Sequence, residues 1–502
     1  MNPDSVRPAV TELRLSAFKS HRGVTLPLSP LTLLSGGSGS GKSSALQAYE
    51  ILARLGSGES LSRAVGEVAG SPAACVPAGA HPDEQGRRGF RIGCTVDGPA
   101  GPVSLDLAVQ AEPELRIVGE RLTGGGETLL TTALTDPTRP AVQAAWHTAG
   151  ATPVTRAPLP DDRLGTSLLP LRVAGKTAGQ RLVLAAAEQV VVALRSAFVC
   201  DPRPEVMRGA GTGGTGSTGG TGVVGEGDGR GADGGGPGAG RAGHAAGARG
   251  GGAGAGRGKA VSAPGGARGT GGAGVAGGAA GAWGARARRT SGGEAGGWGR
   301  AAGEPRDEGR LRSSCDNLPA VLQRTSRECA RRHAVLVAAV REACAGPVEG
   351  LRAVPWQPGG TGDGTAGAPA AVGRGGSTGP QGVPGAGGAV GVRAVLDRGE
   401  LGELPVEQLG DGELRFLALA LVLLTGPDVL AMDPVGEVPS AHQQMTVMAD
   451  GMDRCMDRRQ ARELVSLAVR MTERGHVRLL GTVRDPSVAD GLPGVQVLHL
   501  EA

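Results

Sequence analysis

Apolar positions near the start of the chain recur every second residue and then close into a continuous run, which predicts strands over residues 11–17 and 24–28 and a buried strand over 31–34. From Lys42 the spacing lengthens to three and four, with Leu46, Tyr49 and Leu52 on one side, and predicts a helix to about Leu55. Alternation returns over 90–96, 103–109 and 115–118 between turns such as Asp97-Gly98-Pro99, predicting an antiparallel meander. Helical spacing covers 181–198 and ends before Pro202; a second helical pattern covers 318–344, with Val321, Leu322, Cys329, Val335, Leu336 and Val340 on its apolar side. The C-terminal part reads as strand 392–396, buried helix 413–424, buried strand 429–432, polar helix 453–472 and strands 477–482 and 495–500. Strands alternating with helices imply a parallel sheet.

Two stretches carry neither period. Residues 208–312 are mostly Gly, Ala, Arg, Ser and Thr, and residues 357–391 mostly Gly, Ala, Pro and Thr. Such tracts bury too little apolar surface to offset about 1–2 kcal/mol of backbone entropy per residue, so disorder is expected. The chain of 502 residues therefore divides into 1–207, 208–312, 313–356, 357–391 and 392–502. The foldable remainder suits one large α/β domain with elaborations.

The formal charge of +4 is modest and the signs are mixed along the chain, which permits a nucleic-acid partner without demanding one. The seven cysteines are odd in number and without C-x-x-C spacing, and read as buried or free thiols in a reducing compartment. The N-terminus lacks an apolar signal core, and the longest apolar run, 416–424, falls short of the roughly 20 residues of a membrane span. No membrane association and a cytoplasmic location are expected. Aromatic content of 2% beside heavy Ala, Gly and Arg usage has the imprint of a GC-rich genome.

Between the buried strand and the first helix lies Gly36-Gly37-Ser38-Gly39-Ser40-Gly41-Lys42-Ser43, which fits G-x-x-x-x-G-K-[ST]. A glycine turn there lets backbone N–H groups converge on phosphate oxygens, at the positive end of the helix dipole. Lys42 would neutralise the β- and γ-phosphates and Ser43 would ligate Mg²⁺. Lysine occurs only at Lys19, Lys42, Lys176 and Lys259, and one of the four occupies the motif position that wants an ammonium on a flexible stem. Residues 36–43 with Ser44 are thus the candidate contacts for ATP. Gly175-Lys176-Thr177 lacks the first glycine, since Pro170 stands in its place, and reads as a turn before the next helix. Mg²⁺ also needs a carboxylate at the end of a buried strand, and Val429-Leu430-Ala431-Met432-Asp433 offers Asp433.

In order along the chain, Phe18-Lys19-Ser20-His21, the glycine loop, Leu409-Gly410-Asp411-Gly412-Glu413-Leu414-Arg415 and the run ending at Asp433 resemble the ATP-binding-cassette ATPase head of the RecF/SMC-like, AAA-type ATP-binding group. The resemblance implies a P-loop NTPase of α/β class with a split head: a mixed sheet flanked by helices plus an antiparallel β subdomain. It places the two halves on either side of an insertion from about 120 to 390. It also implies that two heads sandwich two ATP molecules in an ATP-dependent homodimer, with DNA maintenance as the biological setting. Gly410 and Gly412 then belong to the signature segment that touches the γ-phosphate of the opposing subunit; the plainer alternative is a helix cap centred on Asp411.

Departures from the family pattern bear on turnover. Gly410 stands where serine is usual, and Pro434 follows Asp433 where the family has the glutamate that polarises water. Arg484, in Val483-Arg484-Asp485-Pro486, takes the place of the switch histidine, with permanent charge and no proton exchange. Glu437 and His442 lie just beyond Asp433, as substitutes for the missing base or as solvated loop residues, and Glu437 is the catalytic candidate. Gln85 and Gln110 are alternative Mg²⁺ contacts. Arg324, Arg327, Arg331 and Arg332 crowd one helical stretch and face either nucleic-acid phosphates or solvent. ATP is expected to bind, with hydrolysis slow or partner-dependent. The alternative is a non-catalytic ATP-binding switch or scaffold whose Arg/Gly tract recruits partners; a small-molecule kinase leaves the signature-like segment unexplained. Lys42→Ala is expected to abolish ATP binding in a fluorescent-nucleotide titration. Glu437→Gln is expected to slow single-turnover hydrolysis if Glu437 is the substitute base and to leave it unchanged if it is a bystander.

Overall fold

The computed structural model describes residues 7–148, 154–209, 310–356, 391–426, 429–430 and 444–501. These fall in one compact unit, residues 1–215 and 303–502; a second unit, 216–302, lies outside the described residues, as do nearly all of the two tracts expected to be disordered. The elements begin with strands β1 (Ala9–Phe18), β2 (His21–Pro27) and β3 (Leu31–Gly36) and helices α1 (Lys42–Gly56) and α2 (Leu61–Ala69). Six strands follow: β4 (Arg88–Asp97), β5 (Val103–Glu112), β6 (Arg116–Gly124), β7 (Glu127–Ala133), β8 (Ala141–His147) and β9 (Val154–Pro160). Next come α3 (Gly165–Leu168), α4 (Ala178–Arg195), β10 (Ala197–Cys200) and α5 (Pro204–Gly209), then α6 (Leu318–Glu328), α7 (Ala330–Ala343) and β11 (Gly350–Trp356). The C-terminal part supplies β12 (Gly391–Asp397), β13 (Glu403–Pro405), α8 (Asp411–Leu424), β14 (Met445–Ala449), α9 (Arg458–Thr472), β15 (Val477–Thr482) and β16 (Val495–Leu500).

The sheet expected to be mixed, beside an antiparallel β subdomain, is instead wholly parallel, and the antiparallel strands form sheets of their own. β10, β14, β15, β3 and β16, in that spatial order, form a wholly parallel sheet. β2, β1 and β4 to β9 form an antiparallel sheet of eight strands, and β11, β12 and β13 a small antiparallel one. The physical reason lies in burial. In β3 the first five residues are all buried, the mark of a strand covered on both faces, whereas β5 alternates over most of its length and packs through one face. β1 therefore pairs with β2 on one edge and with β4 on the other, while β3 leaves them for the parallel sheet, where it lies between β15 and β16.

That sheet is a middle layer. Leu31, Leu33, Val447 and Leu479 join a core with Phe416 of α8 and Leu464 of α9, and Leu34, Met448, Leu480 and Leu500 join a second core with Tyr49 and Leu52 of α1, Val190 of α4 and the antiparallel sheet.

Two further expectations change. The helical pattern of 318–344 is broken at Cys329, whose φ of −150° is extended and ends α6 before α7 begins, so the four arginines do not share one helix. Arg324 pairs with Glu328 at 2.7 Å, and Arg327, Arg331 and Arg332 are exposed. Of the strand expected at 429–432 only residues 429–430 are described: Leu430 makes an isolated bridge to Leu311, and the place between β10 and β15 is taken by β14. Both runs are apolar and both end in aspartate, so strand pairing, not local composition, selects Met445–Ala449.

Thr177 closes the turn before α4 by accepting a hydrogen bond from Gln180 N, which extends that helix three residues ahead of its apolar period. Leu33→Ala, fully buried in β3, is expected to lower stability by about 2–5 kcal/mol in urea unfolding, and Leu171→Ala, 80% exposed, to change it by less than about 0.5 kcal/mol.

Candidate nucleotide and metal site

β3 delivers the chain into the glycine loop at the carboxyl end of the parallel sheet, where ligands of open α/β folds bind. Three of its glycines have backbone angles that a side chain resists: φ is +140° at Gly36, +86° at Gly39 and +88° at Gly41. A Cβ at Gly36 would stand 2.3 Å from the carbonyl oxygen of Leu500, and one at Gly41 would stand 2.4 Å from His21 Nε2. A Cβ at Gly37 or Gly39 would meet open space. One side of the loop is thus closed against β16 and the β1–β2 turn, and the other is free.

The turn beneath the loop is the Phe18-Lys19-Ser20-His21 segment. His21 is buried, with Nε2 3.0 Å from Gly41 O, and Lys19 has a left-handed φ of +51° and donates to Gln47 Oε1 of α1 at 2.6 Å. These residues buttress the loop from below.

Lys42 opens α1, and its Nζ donates to Gly36 O and Gly37 O at 2.8 Å each and approaches Ser40 Oγ at 3.4 Å. The ammonium lies folded over the loop whose carbonyls it satisfies. Ser43 Oγ donates to Asp450 Oδ2 at 2.8 Å, across 407 residues of sequence. Asp450 follows β14, and its Oδ1 accepts from Thr482 Oγ1 at 2.6 Å at the end of β15. Thr482 Oγ1 in turn accepts from Gly451 N at 2.7 Å. A hydroxyl and a carboxylate this close are hard oxygen ligands of the kind Mg²⁺ takes, with water and phosphate oxygens completing its octahedron. The donor set fits that ion.

Among the described residues, the carboxylate that meets Ser43 is Asp450. Asp433, Pro434, Glu437 and His442 lie outside the described residues. The missed signal is the βαβ spacing: Met445 to Asp450 leads through the polar helix directly to strand 477–482, whereas 429–433 does not.

Gly410 and Gly412 flank the start of α8. Gly410 is the N-cap, and its N–H donates to Glu413 Oε2 at 3.1 Å, while Asp411 pairs with Arg208 at 2.6 Å instead of capping. A Cβ at Gly412 would lie 2.2 Å from Cys455 O, so this glycine permits α8 to rest on the loop after Asp450. From the same helix the buried Arg415 donates to Asp450 O and Gly451 O at 3.1 Å each and to Pro202 O at 2.6 Å. Arg484 is exposed after β15, its N–H held by Asp453 Oδ2 at 2.7 Å. Gln110 Nε2 donates to Glu114 O, and Gln85 sits on an exposed turn with its N–H on Asp83. Neither is engaged at Ser43 or Asp450.

No family model and no curated protein matches this chain. Among solved structures, it is similar to an SmcHead bound to the C-winged helix domain of ScpA, at 9% identity and a TM-score of 0.39, over 96% of this chain and 90% of that one. It is also similar to an Smc head domain with an extended coiled coil bound to the C-terminal domain of ScpA derived from Pyrococcus furiosus, at 8% identity and a TM-score of 0.36, over 96% and 91% of the two chains. A likeness of this degree carries no functional conclusion. Among the described residues no helix is long and apolar enough to cross a membrane.

Gly41→Ala combines a left-handed backbone with a clash on His21 and is expected to lower the melting temperature by several degrees, about 2–4 °C per kcal/mol lost. Adding His21→Ala is expected to recover only the steric part, as differential scanning calorimetry of the single and double variants would show.

Proposed function

We propose that the chain is an ATP-binding protein of the RecF/SMC-like P-loop ATPase type, which holds ATP–Mg²⁺ on residues 36–44 with Ser43 and Asp450 as the metal-side pair. The observation that carries this reading is the Ser43 Oγ to Asp450 Oδ2 contact of 2.8 Å, which joins a loop hydroxyl to a strand-end carboxylate from the far end of the chain. Mg²⁺, when bound there, would neutralise charge on the β- and γ-phosphate oxygens. Lys42 exchanges its two loop carbonyls for phosphate oxygens, and the loop amides on the open side, where Gly37 and Gly39 carry no side chain, close on the same group.

In this reading ATP closes a homodimer in which the start of α8, with Gly410 and Gly412, meets the γ-phosphate of the opposing subunit through its amides. Gly410 brings no hydroxyl, and Arg484 brings fixed charge where a histidine would exchange a proton. The residue after Asp450 is Gly451, which has no carboxylate to polarise water. Loss of a general base costs about 10²–10⁴ in rate, so turnover is slow unless Glu437 or a partner supplies one. DNA is the proposed macromolecular partner at family level.

Gly451 also favours a second reading, a non-catalytic switch in which nucleotide only stabilises the dimer. Phosphate release with and without DNA, with Lys42→Ala as the blank, separates the two. Asp450→Asn is expected to weaken Mg²⁺-dependent ATP binding by at least about ten-fold, close to 1.4 kcal/mol, and Asp433→Asn to leave it within about two-fold. The reverse order in isothermal titration would overturn the assignment of Asp450.

A further inference from the structure

Cys200 ends β10 and Cys315 sits in the short turn before α6, 115 positions further along the sequence, yet their sulfurs lie 4.0 Å apart in the core. Both side chains are buried. The two segments are held in register by backbone hydrogen bonds, Asp201 N to Ser313 O at 2.9 Å and Arg203 N to Ser314 O at 3.2 Å. The turn is framed by Arg312 pairing with Asp316 at 2.6 Å and by Ser314 Oγ donating to Asp316 Oδ1 at 2.7 Å.

Cys315 has a left-handed φ of +57°. A chain with 92 glycines places at this glycine-favouring position a side chain whose thiol meets another thiol. The hydrogen bond with Cys200, and then burial, push the Cys315 thiol well above its ordinary value, so Cys315 stays protonated while the turn is closed.

We propose that Cys200 and Cys315 are a redox modification site, a dithiol that a small hydroperoxide converts to a disulfide joining the two ends of the chain that flank residues 210–309. When the 313–315 turn opens, one sulfur, as thiolate, attacks the peroxide: an S–O bond forms as the O–O bond breaks, and the departing hydroxide takes up a proton. The second sulfur then displaces the sulfenic oxygen as water, forming the S–S bond. Two thiols lose two electrons, hydrogen peroxide is reduced, and two waters result. Bonding shortens the sulfur separation from 4.0 Å to about 2.0 Å, a closure that the short turn at 313–315 can supply. Since Cys200 lies opposite Ala449, the residue before Asp450, the covalent tie would form at the base of the candidate site.

The test is a peptide map of the full chain exposed to hydrogen peroxide, alkylated without reductant and digested with trypsin. The expected product links the peptide 196–208 to the peptide 313–324, rises about ten-fold over the untreated chain and vanishes with dithiothreitol. Cys200→Ser and Cys315→Ser should each remove it. If both peptides from the treated wild-type chain carry alkyl groups, or Cys200 is found joined to a different cysteine, the proposal is overturned, whether or not the variants fold. The outcome does not depend on nucleotide binding.

Discussion

Strand β3 is gripped on both edges by backbone hydrogen bonds to strands from the opposite end of the chain, β15 on one side and β16 on the other. Leu31 to Leu34 are buried on both faces, so the strand can neither slip by one residue nor leave the sheet without exposing one of two cores. Because β3 runs straight into the glycine loop, this pairing fixes where Lys42 and Ser43 stand relative to the ends of β14 and β15. The position of every polar group in the site follows from it.

The site is consequently assembled from groups that are individually ordinary. Asp450 is an exposed strand-end aspartate, Ser43 a serine in the first helical turn, and Thr482 the last residue of a strand. What makes them a unit is their hydrogen bonding: Asp450 accepts from Ser43 through one oxygen and from Thr482 through the other, which orients the carboxylate toward the loop. Arg415 ties the backbone of the same aspartate to α8 and to the stretch after β10. A buried guanidinium is costly to desolvate unless carbonyls surround it, and here three do, so α8 and the Asp450 turn are mechanically joined.

How much could be read in advance varied with the strength of local punctuation. Strands 477–482 and 495–500 are β15 and β16 to the residue, because each is an apolar run closed by glycine, charge or proline on both sides. β7, β8 and β9 were not legible: β7 buries the adjacent Leu129 and Leu130 and so does not alternate, β8 has only Ala144 between Val142 and Trp146 on its buried face, and β9 contains Pro158 and Pro160, which fit an edge strand but erase the sequence signal. The break between α6 and α7 was hidden by apolar spacing that continues through Cys329 while the backbone does not.

The sequence by itself determined the glycine loop, the lysine within it and the strand and helix on either side, because those follow from backbone sterics and from periods of two and 3.6 that need no distant partner. Only the tertiary structure decided which aspartate faces Ser43. Two apolar runs each end in aspartate, and local chemistry rates them alike; the choice depends on which run pairs between β10 and β15, an interaction among segments hundreds of residues apart. The approach of Cys200 to Cys315 was decided in the same way, by strand order and not by spacing along the chain.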